Sequence, residues 1–179
     1  VDKWPFTAEH DGEYRWWDFW QRPNPSVREF DYLSETIRNK SSITIFGARG
    51  GQVFKRESNS IKNVRLMGGK HGYNEVFEVN IEHGRYFTPQ EIDAGRNVAL
   101  IGYEVTKVLF PDGEDPIGKM VKIRNMKFIV IGVIKKEGGN LLGAPSNDFT
   151  AVIPYASFRR FYQTGTDAWD ELTSGIAVK

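Results

Sequence analysis

Five short stretches decide the fold, and they read GRYFT from Gly84 to Thr88, NVALIG from Asn97 to Gly102, VLF from Val108 to Phe110, DPIGK from Asp115 to Lys119 and FIVIG from Phe128 to Gly132. Turn residues alternate in them with runs of apolar, β-branched and aromatic residues. Such runs are typical of short buried strands and of the helices between them. This half of the chain therefore predicts a mixed α and β structure.

Two capping boxes predict where helices begin. Ser26 with Glu29, and Thr88 with Glu91, have the spacing at which each side chain can bond the other residue's backbone amide. The apolar residues after the first box recur on one helical face, and we expect that helix to end near Lys40. The second helix is predicted to be short, because a glycine soon follows it.

Alternation of apolar residues predicts the strands, which cover 42–48, 52–56, 60–67, 97–101, 120–123, 126–134, 149–153 and 175–178. Between the first two strands, the glycine-rich segment Gly47–Gly51 is interpreted as a hairpin turn. A phosphate-binding loop would need a lysine and a hydroxyl residue before a helix, and this segment precedes a strand instead. The strands from 42 to 67 should therefore pair as antiparallel hairpins.

Two further helices follow buried strands in the second half of the chain. Val105, Val108 and Leu109 have the spacing of an apolar stripe that faces a core. A last helix is predicted from Tyr155 to about Tyr162. The chain thus alternates strands and helices after a run of hairpins.

Composition limits the class of protein. The 179 residues are 40% hydrophobic and 26% charged, as in average soluble globular domains. Lysine and arginine number 24 against 23 acidic residues, so the net charge of +1 provides no global field for a nucleic acid, and we expect no nucleic-acid partner. The sequence has no cysteine, which excludes disulfides, thiolate catalysis and cysteine-ligated metals.

The sequence predicts no membrane-spanning helix. Its longest strongly apolar run, 128–134, is far shorter than the roughly 20 residues that such a helix needs. The chain starts abruptly at Val1 without a signal segment and stops at Lys179 within an alternating apolar stretch. We therefore expect it to be an excised part of a longer protein.

The five stretches, followed by Val152-Ile153-Pro154-Tyr155, resemble the periplasmic core domain of MacB-type ABC-transporter permeases in both order and spacing. The resemblance covers roughly the second half of the chain. Any one stretch could occur by chance, whereas five in order over a hundred residues form a specific signature. The residues that carry it as a structural motif are Gly84, Arg85, Phe87, Asp115, Pro116, Gly118 and Pro154.

The resemblance implies an α+β fold with two subdomains. A membrane-proximal, Porter-like β-α-β subdomain would be built from both chain ends, residues 1–67 and 149–179. A mixed α/β, Sabre-like subdomain, residues 68–148, would be inserted into it. Two membrane anchors a helix-width apart require the first and last strands to leave the domain side by side, which fits this layout.

The resemblance also implies a function. Such domains lie on the periplasmic side of the inner membrane and transmit an ATP-driven conformational change for export, lipoprotein release or signalling. Their partners are a second copy of the permease, joined through membrane helices, a cytoplasmic ATPase, and in some systems a periplasmic adaptor or outer-membrane channel. We therefore expect no catalysis and no cofactor in this domain, with ATP bound by a separate or fused nucleotide-binding domain.

Two groups of apolar residues are candidate partner contacts. Trp16, Trp17 and Trp20 lie close together in a segment that also contains prolines, and adjacent tryptophans cannot both face inward on a strand. Leu141 and Leu142 lie in a glycine-rich excursion, where an exposed pair would suggest docking and a buried flap is the alternative. If the tryptophans instead form a stacking platform, the protein is a carbohydrate- or lipid-binding module.

Enzymatic and metal-binding functions find little support in the sequence. His10 has acidic neighbours, but their spacing on an irregular segment fixes no coordination geometry. His71 and His83 have no serine elbow or His-Glu-x-x-His pair to work with. We therefore predict no catalytic residue and no metal site, and a hydrolase remains a minor third hypothesis.

Overall fold

A computed structural model describes residues 24–138, 147–162 and 174–179. Its strands are β1 (Ile43–Arg56), β2 (Asn59–Gly69), β3 (Ile81–Gly84), β4 (Val98–Ile101), β5 (Met120–Ile123), β6 (Met126–Ile134), β7 (Thr150–Pro154) and β8 (Ser174–Val178). Its α-helices are α1 (Val27–Thr36), α2 (Tyr73–Val76), α3 (Pro89–Asp93), α4 (Tyr103–Leu109) and α5 (Tyr155–Phe161). Short 3₁₀ turns cover Pro111–Gly113 and Asn147–Phe149.

All the strands in the described part of the chain belong to one eight-stranded sheet. Its order is β2-β7-β4-β6-β5-β1-β8, and β1 also pairs with β2, so six of the strands form a closed circuit. The β2–β7 and β4–β6 pairs are parallel and the other pairs are antiparallel. β3 and β8 extend this barrel-like ring from β6 and β1.

The interior of the ring is filled by side chains from all six of its strands and from α4 and α5. The buried residues of this cluster are Phe54, Ile61, Val64, Leu66, Ala99, Ile101, Val105, Leu109, Phe110, Val121, Ile123, Phe128, Val130, Val133, Ala151, Ile153 and Phe158. A register shift in the β4–β6 ladder places one extra residue in β6. That bulge explains why Val130 and Val133 both face this interior, although strict alternation would separate them.

Two smaller apolar clusters cover the outside of the ring. One is formed around Tyr73, Phe87 and Ile92 together with the outward residues of β4, β6 and β7. The other joins Phe30 of α1 to the start of β1, to α5 and to β8. Residues of α1, α2, α3 and α5 therefore cover the sheet faces that the ring does not enclose.

The first capping box is confirmed, and the predicted end of its helix is wrong. The Ser26 side chain accepts a hydrogen bond from the Glu29 amide, and the Glu29 carboxylate accepts one from the Ser26 amide. The helix ends at Thr36, because Ile37 has an extended conformation with ψ of 111°. Lys40 lies beyond the helix, where its ammonium group donates to the Ile37 carbonyl oxygen at 2.7 Å.

The hairpin turn predicted at Gly47–Gly51 is wrong. The chain continues through it as the single strand β1, and the β1–β2 ladder shifts register between Arg49 and Gln52. Gly51 has φ of 69° at this bulge, a conformation that glycine adopts without a steric penalty. The reversal occurs at Glu57 and Ser58, directly before β2. A glycine pair between alternating segments is compatible with either a turn or a bulge, and the sequence did not distinguish them.

The other predicted elements are confirmed to within one or two residues: the second capping box, β4, the β5–β6 hairpin, β7, α5 and β8. On α4, Val105 and Leu109 are buried as predicted, but Val108 is 42% exposed. Two elements that the sequence does not predict, α2 and β3, are only four residues long. The mixed α and β class is therefore correct.

The last strand returns to the first described strand. Ile43 pairs with Val178 in the β1–β8 ladder, and the Lys179 amide donates to the Ser42 carbonyl oxygen at 2.9 Å. The subdomain boundary predicted after residue 67 lies within β2, and the sheet continues across it. The division into Porter-like and Sabre-like parts stays a prediction. No helix in the described ranges has the length and apolar character needed to cross a bilayer.

Candidate functional site

The residues singled out as a structural motif lie around β3, β6 and the turn before β5, except for Pro154, which lies at the end of β7. Gly84 ends β3 opposite Gly132, and its φ is 81°. A Cβ atom there would overlap the Ile131 carbonyl oxygen and would lie 2.9 Å from the Gly132 Cα. The next amide, that of Arg85, donates to the same Ile131 oxygen at 2.9 Å. Gly84 thus lets two backbone segments approach each other closely.

Arg85 and Glu91 form a two-pronged ion pair at the start of α3. Both guanidinium nitrogens donate to the Glu91 carboxylate at 2.7 Å. The same carboxylate accepts from the Thr88 amide at 2.8 Å, while the Thr88 hydroxyl accepts from the Glu91 amide at 3.3 Å. The hydrogen bonds from Arg85, followed by those from Thr88, lower the pKa of Glu91 from its usual 4.5 to about 2. Arg85 therefore orients the Glu91 carboxylate and stabilises the capping box of α3.

Replacing Glu91 by glutamine should lower the stability of the domain at neutral pH by about 1 kcal/mol, since the exchange removes the ion pair and weakens the cap. The folded-state pKa lies below the unfolded one, so this contribution is complete above about pH 4.5 and is lost as the pH falls towards 2. Urea unfolding of both proteins at a series of pH values measures it. A stability difference that stays constant from pH 7 to pH 2 would contradict the assignment.

The aromatic residues of the motif anchor the segment between β3 and α3. Phe87 is buried in the outer cluster that also contains Tyr73 and Ile92, with its ring centroid 4.9 Å from that of Tyr86. The Tyr86 hydroxyl is buried, and the only described group that approaches it for a hydrogen bond is the Asn74 backbone, with poor geometry. Burial raises the pKa of Tyr86, and also that of nearby Tyr73, above the ordinary value of a tyrosine. Both phenols are thus neutral packing groups at physiological pH.

The DPIGK stretch is a turn that starts β5. Asp115 accepts a hydrogen bond from the Ile117 amide at 3.0 Å, which is the geometry of an Asx-turn. Gly118 has φ of 78°, and its amide donates to the Val130 carbonyl oxygen at 2.8 Å. Pro116 is buried and its carbonyl oxygen accepts from the Lys119 amide. Each of these contacts is internal to the fold.

Pro154 lies at the junction of β7 and α5. It pairs with Gly69 at the end of the parallel β2–β7 ladder and occupies the N-cap position of α5 without a capping hydrogen bond from its side chain. Proline has no amide hydrogen, but the first amides of a helix have no acceptor within the helix. Pro154 can therefore stand between the strand and the helix without the loss of a helical hydrogen bond.

A cavity of about 700 Å³ lies between β3, α4 and the DPIGK turn. Its lining includes Glu82, His83, Tyr103, Phe110 and Ile117. The cavity is therefore bordered by three of the five fold-deciding stretches. Acidic and basic side chains both line it.

Within the described ranges, the histidines considered in the sequence lie in no metal-binding cluster. No group of three or more histidine, aspartate or glutamate residues within them could hold a metal ion. His71 contacts Asp93 at 2.7 Å on the surface, without a nucleophile beside it. Trp16, Trp17, Trp20, Leu141 and Leu142 lie outside the described residues, as does His10, so those predictions stay untested.

The sheet topology and the internal contacts of the motif define a mixed, sheet-dominated α and β domain. The chain belongs to the MacB-like periplasmic core domain family, whose model matches residues 6–179. The resemblance found in the sequence is thereby confirmed.

Curated relatives are export proteins. The pyoverdine export ATP-binding/permease protein PvdT of Pseudomonas aeruginosa is 34% identical over 119 residues, which cover 65% of this chain and 18% of that protein. The macrolide export ATP-binding/permease protein MacB of Rhodospirillum rubrum is 35% identical over 77 residues, covering 43% of this chain and 12% of that protein. The chain thus spans less than a fifth of the length of these relatives. They do not favour a carbohydrate- or lipid-binding module.

Solved structures share the fold. The periplasmic region of MacB from Actinobacillus actinomycetemcomitans aligns with a TM-score of 0.71 at 21% identity, covering 97% of this chain and 70% of that one. The extracellular domain of the transporter YknZ from Gram-positive bacteria aligns with a TM-score of 0.69 at 17% identity, covering 87% and 73%. The mixed, sheet-dominated architecture is common to all three.

Proposed function

We propose that this chain is a non-catalytic coupling domain of an inner-membrane ABC-transporter permease, located in the periplasm. It carries an ATP-driven movement across the membrane for export, lipoprotein release or signalling. ATP binds to a separate or fused nucleotide-binding domain, as the names of the ATP-binding/permease relatives suggest. A second copy of the permease and a cytoplasmic ATPase are its partners, and a periplasmic adaptor or outer-membrane channel is a further one.

The observation that carries this proposal is the pairing of β8 with the first half of β1. Five residue pairs, from Ile43 with Val178 to Gly47 with Ser174, join the two strands. The same β1 continues into the closed ring, where its far end pairs with β2 and β5. A displacement applied at Lys179 therefore reaches a single rigid body. Export activity, rather than chemistry on a substrate, is the role that fits this geometry and the family.

Two single proline substitutions in β8, one a test and one its control, examine the coupling. Ser42 and Lys179 exchange two hydrogen bonds, so by antiparallel alternation Thr44 and Ala177 do so too, whereas the Val178 amide points away from β1. Ala177→Pro removes a ladder hydrogen bond, and Val178→Pro is the matched control on the same edge strand. We expect the first to abolish ATP-driven movement of the domain while ATP hydrolysis continues, and the second to preserve both.

The measurement uses the full-length dimeric transporter, with a spin label at Ser58→Cys in the exposed turn between β1 and β2. The domain has no cysteine of its own to interfere. The label-to-label distance should change when ATP is added to the otherwise unmodified protein and to Val178→Pro, and should stay fixed in Ala177→Pro. An unchanged distance in the otherwise unmodified protein would refute the coupling role.

A further inference from the structure

Three lysines lie side by side on the outer face of the ring. Lys55 of β1 is the register partner of Lys122 in β5, and Lys122 is the register partner of Lys127 in β6. All three are exposed. Side chains directly opposite each other on neighbouring strands have Cβ atoms about 5 Å apart, and like charges in such pairs destabilise the sheet. We refer to these three residues as the lysine row.

No carboxylate in the described ranges neutralises the lysine row. None of its members has an ion pair or a side-chain hydrogen bond within those ranges. The nearby carboxylates are already engaged with other cations: Glu114 lies 2.8 Å from Arg56 and 3.6 Å from Lys119. Glu57 also contacts Arg56. The row is therefore a local surplus of positive charge on a protein whose net charge is only +1.

The lysine row borders a groove of about 600 Å³, which lies within the size range of small-molecule sites. The lining is Lys55, Arg56, Glu57, Gly118, Lys119, Met120, Val121, Lys122 and Lys127. One step further along the same face, Met120 is the register partner of Ile129. These two side chains are 56% and 44% exposed, although most large apolar residues in the described ranges are buried. An apolar pair thus adjoins the cationic row.

From this arrangement we propose that the outer face of β1, β5 and β6 binds a single anionic amphiphile. Its phosphate headgroup contacts the lysine row, and its hydrocarbon part covers Met120 and Ile129. Three ammonium groups within about 10 Å match a phosphate and adjacent oxygens, since neighbouring strands are about 4.8 Å apart. A bilayer would need a broad face, whereas the groove accommodates one molecule. Neither the family match nor the proposed coupling role assigns this surface.

The first test is a calorimetric titration of the chain with dihexanoyl phosphatidylglycerol below its critical micelle concentration. We expect saturable binding that weakens as salt is raised, with no binding of dihexanoyl phosphatidylcholine, whose headgroup is zwitterionic. Inorganic phosphate should bind more weakly than the lipid. Equal affinity for the two lipids, equal affinity for inorganic phosphate, or binding only to phosphatidylglycerol vesicles would each overturn the proposal.

The second test uses charge variants of the row. Lys122→Gln should weaken binding about fivefold, as expected for one lysine near an anionic headgroup. Lys122→Glu should abolish binding and at the same time raise the unfolding midpoint, because the new carboxylate faces Lys55 and Lys127 directly. Loss of binding in this variant is thereby separated from loss of folding. Unchanged affinity in Lys122→Glu would refute the site.

The matched control is Lys135→Gln. Lys135 is exposed, directly follows the far end of β6 and makes no ion pair within the described ranges. The exchange removes the same charge from the protein but leaves the groove intact. Its affinity for dihexanoyl phosphatidylglycerol should equal that of the unmodified chain. A loss equal to that of Lys122→Gln would mean that net charge, and not the lysine row, determines binding.

Discussion

Gly84→Ala should lower the free energy of unfolding by about 4 kcal/mol, combining a left-handed conformation with overlap against fixed backbone. The residue has φ of 81°, and an added methyl group would meet the Ile131 carbonyl oxygen, the Gly132 Cα at 2.9 Å and the Ile117 Cδ1 at 2.8 Å. A flexible side chain could move away, but two strands of a paired sheet cannot. Urea unfolding followed by circular dichroism measures the loss.

Gly113→Ala is the matched control for this prediction. Gly113 has φ of 75°, and a methyl group there would meet no atom within 4 Å. Its substitution should therefore cost only about 1 kcal/mol, the conformational part alone. If both variants lose the same stability, the close approach at Gly84 contributes nothing, and the motif glycine serves only to permit its backbone angle.

Phe158→Ala should destabilise the domain by about 4 kcal/mol, because it leaves a cavity at a fully buried position inside the six-stranded ring. Phe158 is 0% exposed and contacts the two glycines Gly47 and Gly68. A Cβ atom at Gly47 would lie 2.6 Å from the Phe158 Cε1 and 3.1 Å from its Cδ1, so the aromatic ring occupies space that only a glycine leaves free. Phe149→Ala, at a position that is 51% exposed, should stay within about 0.5 kcal/mol of the unmodified chain.

A double-mutant cycle distinguishes this contact from general core loss. Gly47→Ala should be strongly destabilising when Phe158 is present, and close to neutral in the Phe158→Ala background, because its added methyl group would meet only atoms of the aromatic ring. Urea unfolding of the four proteins gives the coupling free energy. Additive effects would show that the glycine and the aromatic ring act independently, contrary to the geometry.

Local signals predicted much of the fold. Both capping boxes are present in the structure, because each depends only on residues three positions apart. The β5–β6 hairpin follows from two alternating segments on either side of Arg124-Asn125, where Arg124 takes the required positive φ of 52°. The family signature extends this further, since it singles out Gly84 and Gly118, both of which take a positive φ in the structure.

What the sequence did not predict depends on the partners of each segment. The Gly50-Gly51 bulge was interpreted as a turn because the pairing of β1 with β2 on both sides of it is a tertiary fact. The ion pair of Arg85 with Glu91 had no sequence signal beyond the capping glutamate. The lysine row was missed for the same reason: alternation places Lys122 and Lys127 on outward positions, but only the register of three strands brings them beside Lys55.

The place of β8 in the sheet also determines how the domain bears a load. Because β8 lies lengthwise along β1 over five residue pairs, a pull directed along β8 from Lys179 strains those backbone bonds in parallel, as in shear. A pull at right angles would instead open the pairs one after another, like a zipper, at much lower force. The domain is therefore mechanically anisotropic: stiff along its first strand and weak across it.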